Sequence, residues 1–399
     1  LAHDTSLPPV YTHRQDYFLQ SFGLASIPLF LQGKTLSTYT VGVIGHTGRG
    51  NFGHGLDKMW KMHPKVSVVG VADANPQGLQ KALARVGQGT GYLDYRKMLE
   101  TKRPDFVAVC PRHVDQRVSM IEAACEFGAK AIYVEKPFAR SLKECDLISE
   151  ACKRSGTLLA VAHRNRYHPA LAVARKLIKD GLLGQVLAMQ GRGKQDRRGG
   201  GEDLWVLGTH VFDLFHAFAG KPVSCTATVK TKGKIATQNQ IYEGNEGLGP
   251  LVGDEIHAEW KMENGWTATF DSVRGEGSRQ KGFGLEIVGE KGTLEILCDQ
   301  EPLFHFIEGK SSKGSTERIP LTSSGLGKKE REDIDGTVRN HLAALIDLIH
   351  CLENGKEPLC GLDEGTSTVS FVSSVFESHR QGGKDVHLPL TSRGNPLLR

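Results

Sequence analysis

From Thr40 onward, short apolar runs rich in β-branched residues alternate with stretches of helical spacing, and this alternation restricts the fold more than any other feature of the chain. TVGVIG (40–45), VSVVGVAD (66–73), DFVAVC (105–110), AIYVEKP (131–137) and TLLAVAH (157–163) read as strands. The stretches 51–62, 76–86, 114–127 and 142–155 read as the helices between them, with LDYRKMLE as a short connection. Strands that are apolar throughout must be covered on both faces, so the first part of the chain is expected to form a doubly wound parallel α/β sheet. After Leu187 the pattern changes to segments such as VLAMQGRG, EIHAEWKM, GWTATFDSV and GTLEILC, separated by Gly and Asn turns, which predict a mainly antiparallel sheet. Residues 339–353 and 366–380 return to helical spacing. The chain therefore divides into an extension (1–39), a nucleotide-binding domain (40–162) and a substrate-binding and oligomerisation domain (163–399), whose closing helices, about 336–381, pack back on the first domain. The segments 191–201 and 326–336 read as mobile loops.

The first strand runs into GVIGHTGRGNFG, which places Gly45, Thr47, Gly48, Arg49 and Gly50 between a strand and an expected helix. Glycines there permit a tight turn and a close backbone approach to a pyrophosphate at the helix N-terminus. The spacing departs from G-x-G-x-x-G, because Thr47 stands where the central glycine is expected and Gly48 follows it. Asp73 ends the second strand 23 residues after Gly50, near the spacing at which a carboxylate binds an adenosine ribose diol. A carboxylate there repels a 2′-phosphate, so NAD is favoured over NADP, with Arg49 as the residue that could soften the preference. A glycine turn that binds no nucleotide is the structural alternative.

Composition removes other classes of function. A net charge of +5 over 399 residues is too dilute for a nucleic-acid footprint, and no apolar run is long enough to span a bilayer. The eight cysteines form no CxxC pair and show no zinc-type spacing with histidine, so they read as buried thiols and no metal site is expected. HRQDYFLQSFGLASIPLFL (13–31) has a basic start and an apolar, small-residue stretch like a twin-arginine export signal, but with His13-Arg14 in place of an Arg pair. It is either a degenerate signal or an arm on a partner subunit, which leaves cytoplasmic and exported locations both open.

YVEKPFA (133–139) resembles the EKP signature of the Gfo/Idh/MocA oxidoreductase family, and the glycine loop, VADAN, DYRKML, CPRHVD, NRYHP, LIKDGLLGQV, LGTHVFD and VGEKGTLEI follow in that family's order. The resemblance covers most of the chain and implies a Rossmann domain followed by an open, mainly antiparallel sheet, which commonly forms a homodimer or homotetramer. It implies that Lys136 reaches the reacting hydroxyl, that Glu135 and Pro111 line the nicotinamide side, and that Asn165 and Arg166 lie near the nicotinamide or substrate. His210 is implied as the acid/base, a task suited to a side chain with an unperturbed pKa of about 6.5. The activity implied is NAD-dependent oxidation of a ring hydroxyl of a sugar, glycoside or polyol. The alternatives are an NAD-dependent glycosidase working by transient redox and elimination, and a catalytically inactive nucleotide-binding regulator.

In many members of that family an aspartate precedes the histidine by four residues, and here that position is Val206. If 203–218 is one helix, Asp203, Val206, His210 and Asp213 form a stripe beside the apolar face. Asp213 is then placed to orient the His210 ring, and Asp203 either caps the helix or reaches substrate. His168 and Trp205 are further substrate-binding candidates, each with a plain structural alternative, and the cations of 192–198 could meet an acidic substrate or simply face solvent.

Overall fold

The computed structural model describes residues 39–277, 282–309 and 317–399. Residues 1–38, which carry the expected signal-like segment or arm, lie outside the described residues. Six strands form the first sheet: β1 (Tyr39–Ile44), β2 (Val66–Ala72), β3 (Thr90–Tyr92), β4 (Phe106–Val109), β5 (Ala131–Val134) and β6 (Leu158–Val161). They lie in the order β3-β2-β1-β4-β5-β6, all parallel, with Val41 opposite Val68 on one side and Phe106 on the other. β4 and β5 are buried along their whole length, which is why they read as unbroken apolar runs.

The helices of this half carry their own start and stop signals. Asn75 accepts from Gly78 N at the head of α1 (Pro76–Val86), and Gly87 ends it in the left-handed conformation. Asp94 caps α2 (Tyr95–Lys102), within the stretch read from sequence as a connection; α3 spans Arg117–Glu126; Ser141 and Gly156 bracket α4 (Leu142–Ser155). The helix expected over 51–62 does not form. Asn51, Gly53 and Gly55 all have positive φ, which an α-helix cannot accommodate, and only the 3-10 turn Met59–Met62 remains.

The second sheet is built from β7 (Val186–Arg192), β8 (Pro222–Thr231), β9 (Glu255–Met262), β10 (Thr267–Val273), β11 (Gly284–Gly289), β12 (Gly292–Leu297), β13 (Phe304–Glu308) and β14 (Ile319–Thr322), with short strands at its edges. Its order is β14-β13-β12-β11-β7-β10-β9-β8, and among these pairs only β7 and β10 run parallel. α5 (Ala170–Lys179) links the two sheets. The segment read as one helix from Asp203 is two, α6 (Gly201–Val206) and α7 (Gly208–Ala219), because Leu207 turns out of helical geometry at φ −115°. α8 (Glu332–Arg339) begins inside the segment read as a loop, and α9 (Leu342–Asn354) and α10 (Leu362–Arg380) follow it. Phe212 of α7 and Phe371 of α10 stack at 5.1 Å and meet Trp260 and Phe270 of the sheet edge-on, forming the aromatic core of this half. The closing helices touch both domains: Cys360 O accepts from Val161 N of β6 at 2.8 Å, and Ala227 N of β8 donates to Ser378 Oγ. No helix among the described residues is long and apolar enough to cross a membrane.

Candidate active site

The parallel sheet reverses its strand order between β1 and β4, and the crevice outside the carboxyl ends of such strands is where α/β sheets bind ligands. The glycine loop lies on that crevice. Gly48 and Gly50 adopt φ of 84° and 86°, and a Cβ on Gly50 would stand 2.4 Å from Arg112 N, beyond the end of β4. A Cβ on Gly53 would come 2.3 Å from Glu135 Oε2 and 2.6 Å from Cys110 O. His46 and Asn51 pair as a tight hairpin, and a Cβ on Gly45 would enter the ring of Phe52. The observed arrangement exposes a register that the reading above missed. Gly48-Arg49-Gly50-Asn51-Phe52-Gly53 is itself G-x-G-x-x-G, three residues later than expected, with Asp73 twenty residues beyond Gly53.

Several cofactor candidates have partners within the chain. Asp73 is buried and accepts from Thr47 N (3.1 and 3.0 Å), Thr47 Oγ1 (2.6 Å) and Asn75 N (2.9 Å), so its carboxylate holds the loop to the strand end. Arg49 pairs with Asp115 at 2.5 Å. A hollow of about 480 Å³ opens beside Thr47, Asn75 and Gln77, bordered by Lys58, Lys81 and Arg85. The residue types at this edge fit a dinucleotide: three fingerprint glycines with φ of 60° to 86°, exposed backbone beside them, and an acid at the end of β2.

A cavity of about 140 Å³ lies at the other end of the crevice, between the two sheets. Glu135, Lys136, His210, Arg164, Phe283 and His341 are among the residues that line it. Lys136 is buried, and burial pulls its pKa down. Its Nζ donates to Val206 O at 2.9 Å. That carbonyl is available because the helix breaks at Leu207: His210 N bonds back to Leu207 O, so Val206 O is not its acceptor. Glu135 Oε2 accepts from His54 N (2.9 Å) and faces His54 Nδ1 (3.0 Å), and Oε1 accepts from Lys136 N. Burial raises the Glu135 carboxyl, but the His54 contacts and the Lys136 charge outweigh it and hold the pKa at about 2. His210 is half-buried, edge-on to His163 and Phe283 at 5.4 and 6.1 Å, and its ring nitrogens have no hydrogen-bond partner among the described residues. Desolvation, then the charges of Lys136 and Arg164, push its pKa well below 6.5, so it is a neutral imidazole with a free lone pair.

Other expectations need correction. Asp213 does not orient His210; its carboxylate lies 3.7 Å from Arg166 and accepts from Cys360 Sγ, and burial raises its pKa to about 6. Arg166 does not reach the cavity either: it is buried between Asp213 and Glu364 and donates to Asp213 O and Leu359 O. Asp203 neither caps α6 nor lines the cavity, because it accepts from Lys194 N, Gln195 N and Ser272 Oγ and so fastens the 193–195 loop. Trp205 is 2% exposed in the core, with no sugar-facing surface. Asn165 donates to Cys298 O, and His168 accepts from Ala170 N and stands 3.5 Å from Glu301; neither is among the residues that line the cavity. Pro111 contributes its carbonyl to Arg117. Of the loop cations, Arg192 pairs with Glu286 and Glu295 and Arg198 with Asp196, while Lys194 does line the cavity.

Arg117 had no signal in the sequence beyond its place after CPRHVD. Its guanidinium, fully buried, donates to Pro111 O (2.8 Å), Pro137 O (2.6 Å) and Glu135 O, fixing the ends of β4 and β5 together. Arg164, His54 and His341 were likewise missed, since each reaches the cavity from a different part of the chain.

Residues 39–163 match the model of an oxidoreductase family's NAD-binding Rossmann fold, and residues 175–388 match that family's C-terminal α/β domain. The chain belongs to the Gfo/Idh/MocA oxidoreductase family. Its first domain is that family's NAD-binding Rossmann domain. Levoglucosan dehydrogenase of Pseudarthrobacter phenanthrenivorans is 27% identical over 56% of this chain and 63% of its own length, just under two thirds. The 2,7-anhydro-N-acetylneuraminate hydratase of Mediterraneibacter gnavus is 30% identical over 69% of this chain and 74% of its own. A solved levoglucosan dehydrogenase with NADH and levoglucosan superposes with a TM-score of 0.69 at 22% identity, covering 88% of this chain and all of that one, which establishes the shared fold.

Proposed function

We propose that this Gfo/Idh/MocA member is an NAD-dependent dehydrogenase acting on a ring hydroxyl of a sugar, glycoside or polyol, with Lys136 and His210 as the polar and acid/base pair. The observation that carries the reading is that a buried ammonium and a neutral, unbonded imidazole line one small cavity at the carboxyl edge of the parallel sheet. Gly48, Gly50 and Gly53 with Asp73 would hold the dinucleotide, and Glu135 would face its nicotinamide end. When bound, that cofactor supplies the hydride acceptor or donor. Lys136 spends one proton on Val206 O and keeps others to stabilise a developing alkoxide in a site poor in water. His210 takes the hydroxyl proton at a ring nitrogen, and its depressed pKa keeps that nitrogen unprotonated at neutral pH. The preference for NAD over NADP rests on Asp73, whose negative charge opposes a 2′-phosphate although its oxygens already serve Thr47. A homodimer or homotetramer would form through the open face of this sheet, on which His257, Glu259 and Lys261 of β9 point away from the core.

The hydratase among the relatives favours a second reading, in which transient oxidation assists elimination or cleavage without net redox change. One experiment separates the two: mass spectrometry of products after incubation with NAD and a panel of sugars, polyols and glycosides. A product two mass units lighter supports the dehydrogenase, and cleavage or hydration with no redox change supports the second reading. His210→Ala is expected to abolish either turnover while retaining NADH binding; full turnover in that variant refutes the assignment of His210.

A further inference from the structure

The same cavity holds more uncompensated positive charge than oxidation of a neutral sugar requires. Arg164, on the 3-10 turn Arg164–Tyr167, lines it together with Lys136 and Lys194. Among the described residues Arg164 has neither a hydrogen-bond nor an ion-pair partner, and Lys136 donates only to a carbonyl. The two carboxylates of the wall are already engaged. Glu135 serves His54 and Lys136 N, and Asp299 stands 3.9 Å from Lys194. A half-buried guanidinium loses hydration without recovering it from a partner, so an anion brought by a ligand is the natural complement.

His341 supplies the second, independent observation. It is 4% exposed, lines the cavity, and is held at φ 62°, a left-handed backbone that non-glycine residues rarely adopt. Its Nδ1 lies 2.8 Å from the hydroxyl of Tyr133, and its Nε2 is buried with no partner among the described residues. The fully buried Tyr133 hydroxyl must donate somewhere, and Nδ1 is the acceptor it meets. With Tyr133 donating, Nε2 carries the ring proton and is a buried donor without an acceptor among the described residues, on a side chain that lines the same cavity as Arg164.

We propose that the substrate is a sugar acid, whose carboxylate is received by the Arg164 guanidinium and the His341 Nε2–H while its reacting hydroxyl lies at Lys136 and His210. The identity of the reacting hydroxyl rests on the dehydrogenase reading; the recognition of the carboxylate does not. Arginine suits the task because its planar fork matches a carboxylate with two parallel hydrogen bonds.

The test is calorimetric binding to the full chain with NADH present, using D-glucuronate, D-galacturonate and D-gluconate, each against its own amide. The amide keeps the shape and removes the charge, so the comparison needs no variant. At least one acid should bind about tenfold or more tightly than its amide, the factor expected of a charge-assisted hydrogen bond, and Arg164→Met should abolish the difference. If no acid in the panel exceeds its amide, or if the difference survives Arg164→Met, the proposal is overturned. Failure here and failure of the dehydrogenase reading look different. Selective binding of an acid that NAD never oxidises sinks the redox reading and upholds this one, whereas oxidation of a neutral sugar with acids and amides bound alike does the reverse.

Discussion

Replacing Arg117 by Met should destabilise the first domain by about 3 kcal/mol, and the structure allows the figure to be built. The guanidinium is the donor to three main-chain carbonyls, of Pro111, Glu135 and Pro137, in a site with almost no solvent. A buried acceptor left without its donor costs about 1–3 kcal/mol, so three of them give roughly 3–9 kcal/mol. Against this stands the cost of burying the charge. Desolvation pulls the Arg117 pKa down to about 10, a shift worth roughly 3 kcal/mol at about 1.4 kcal/mol per unit, which the variant recovers; the middle of the range above, about 6 kcal/mol, then leaves about 3. Methionine fills most of the same space and leaves a small cavity at worst. Equilibrium unfolding in guanidinium chloride reads the difference directly. Arg117→Lys, which keeps a charge but has lost the planar fork, should fall between wild type and Met. If Arg117→Met unfolds within 1 kcal/mol of wild type, the carbonyls have found other donors and the role assigned to Arg117 is wrong.

Three further outcomes follow from the site. Gly53→Ala places a Cβ against Glu135 Oε2 at a φ of 60°, so it should cost about 2 kcal/mol or more and loosen the loop, seen as faster hydrogen exchange over 48–58. Asp203→Asn keeps one acceptor oxygen of two and should cost about 1–3 kcal/mol, with proteolysis rising in the 193–200 loop; unchanged cleavage there would refute the fastening role. His163 and His341 are buried neutral, with desolvation lowering their pKa values to about 3 and about 4. Since the unfolded chain binds their protons near pH 6.5, their contribution is complete above that pH and is lost on acidification at about 1.4 kcal/mol per unit for each histidine. Asp213, raised to about 6, acts in the opposite sense but only as pH falls below 6 towards its unfolded value, so stability should drop between pH 6.5 and 5.5. A flat unfolding free energy across that interval would contradict both burials.

What could be read from sequence tracks how local the cause is. Five of the six strands of the parallel sheet were legible because burial on both faces demands continuous apolar runs, whereas β3, three residues long and largely exposed, was not; the caps of α1 and α4 are set within three residues of each helix. The loop after β1 was half legible. Its glycines announce a nucleotide fold, yet their positive φ values replace the expected helix with turns, and the fingerprint sits three residues later than the first glycine suggests. Helical spacing placed Val206 and His210 on one stripe and missed the break at Leu207, which decides what each of them does. Arg117, Arg164 and His341 were invisible because no spacing joins residues that meet only after β4, β6 and α9 have been placed.

Val206 shows why the missing pieces matter together. An aspartate at this position would bring a negative charge to the residue whose carbonyl meets Lys136. Here the break at Leu207 brings instead the Val206 carbonyl, a neutral acceptor, to Lys136 Nζ. The ammonium keeps its geometry and loses its counter-charge, so the wall that also holds Arg164 is more positive by one unit than it would be with a carboxylate there. Desolvation first and then the Lys136 charge lower the pKa of His210, which keeps the lone pair needed to accept a proton, and the residual charge leaves a place for an anionic ligand group. A valine here thus leaves the Lys136 charge in place beside the neutral histidine and suits the acidic substrate proposed above. Val206→Asp should test the link in one step, raising the pKa of His210 and weakening the binding of a sugar acid relative to its amide. If the pH profile of turnover and the acid-to-amide ratio are both unchanged, the charge of this wall is set elsewhere.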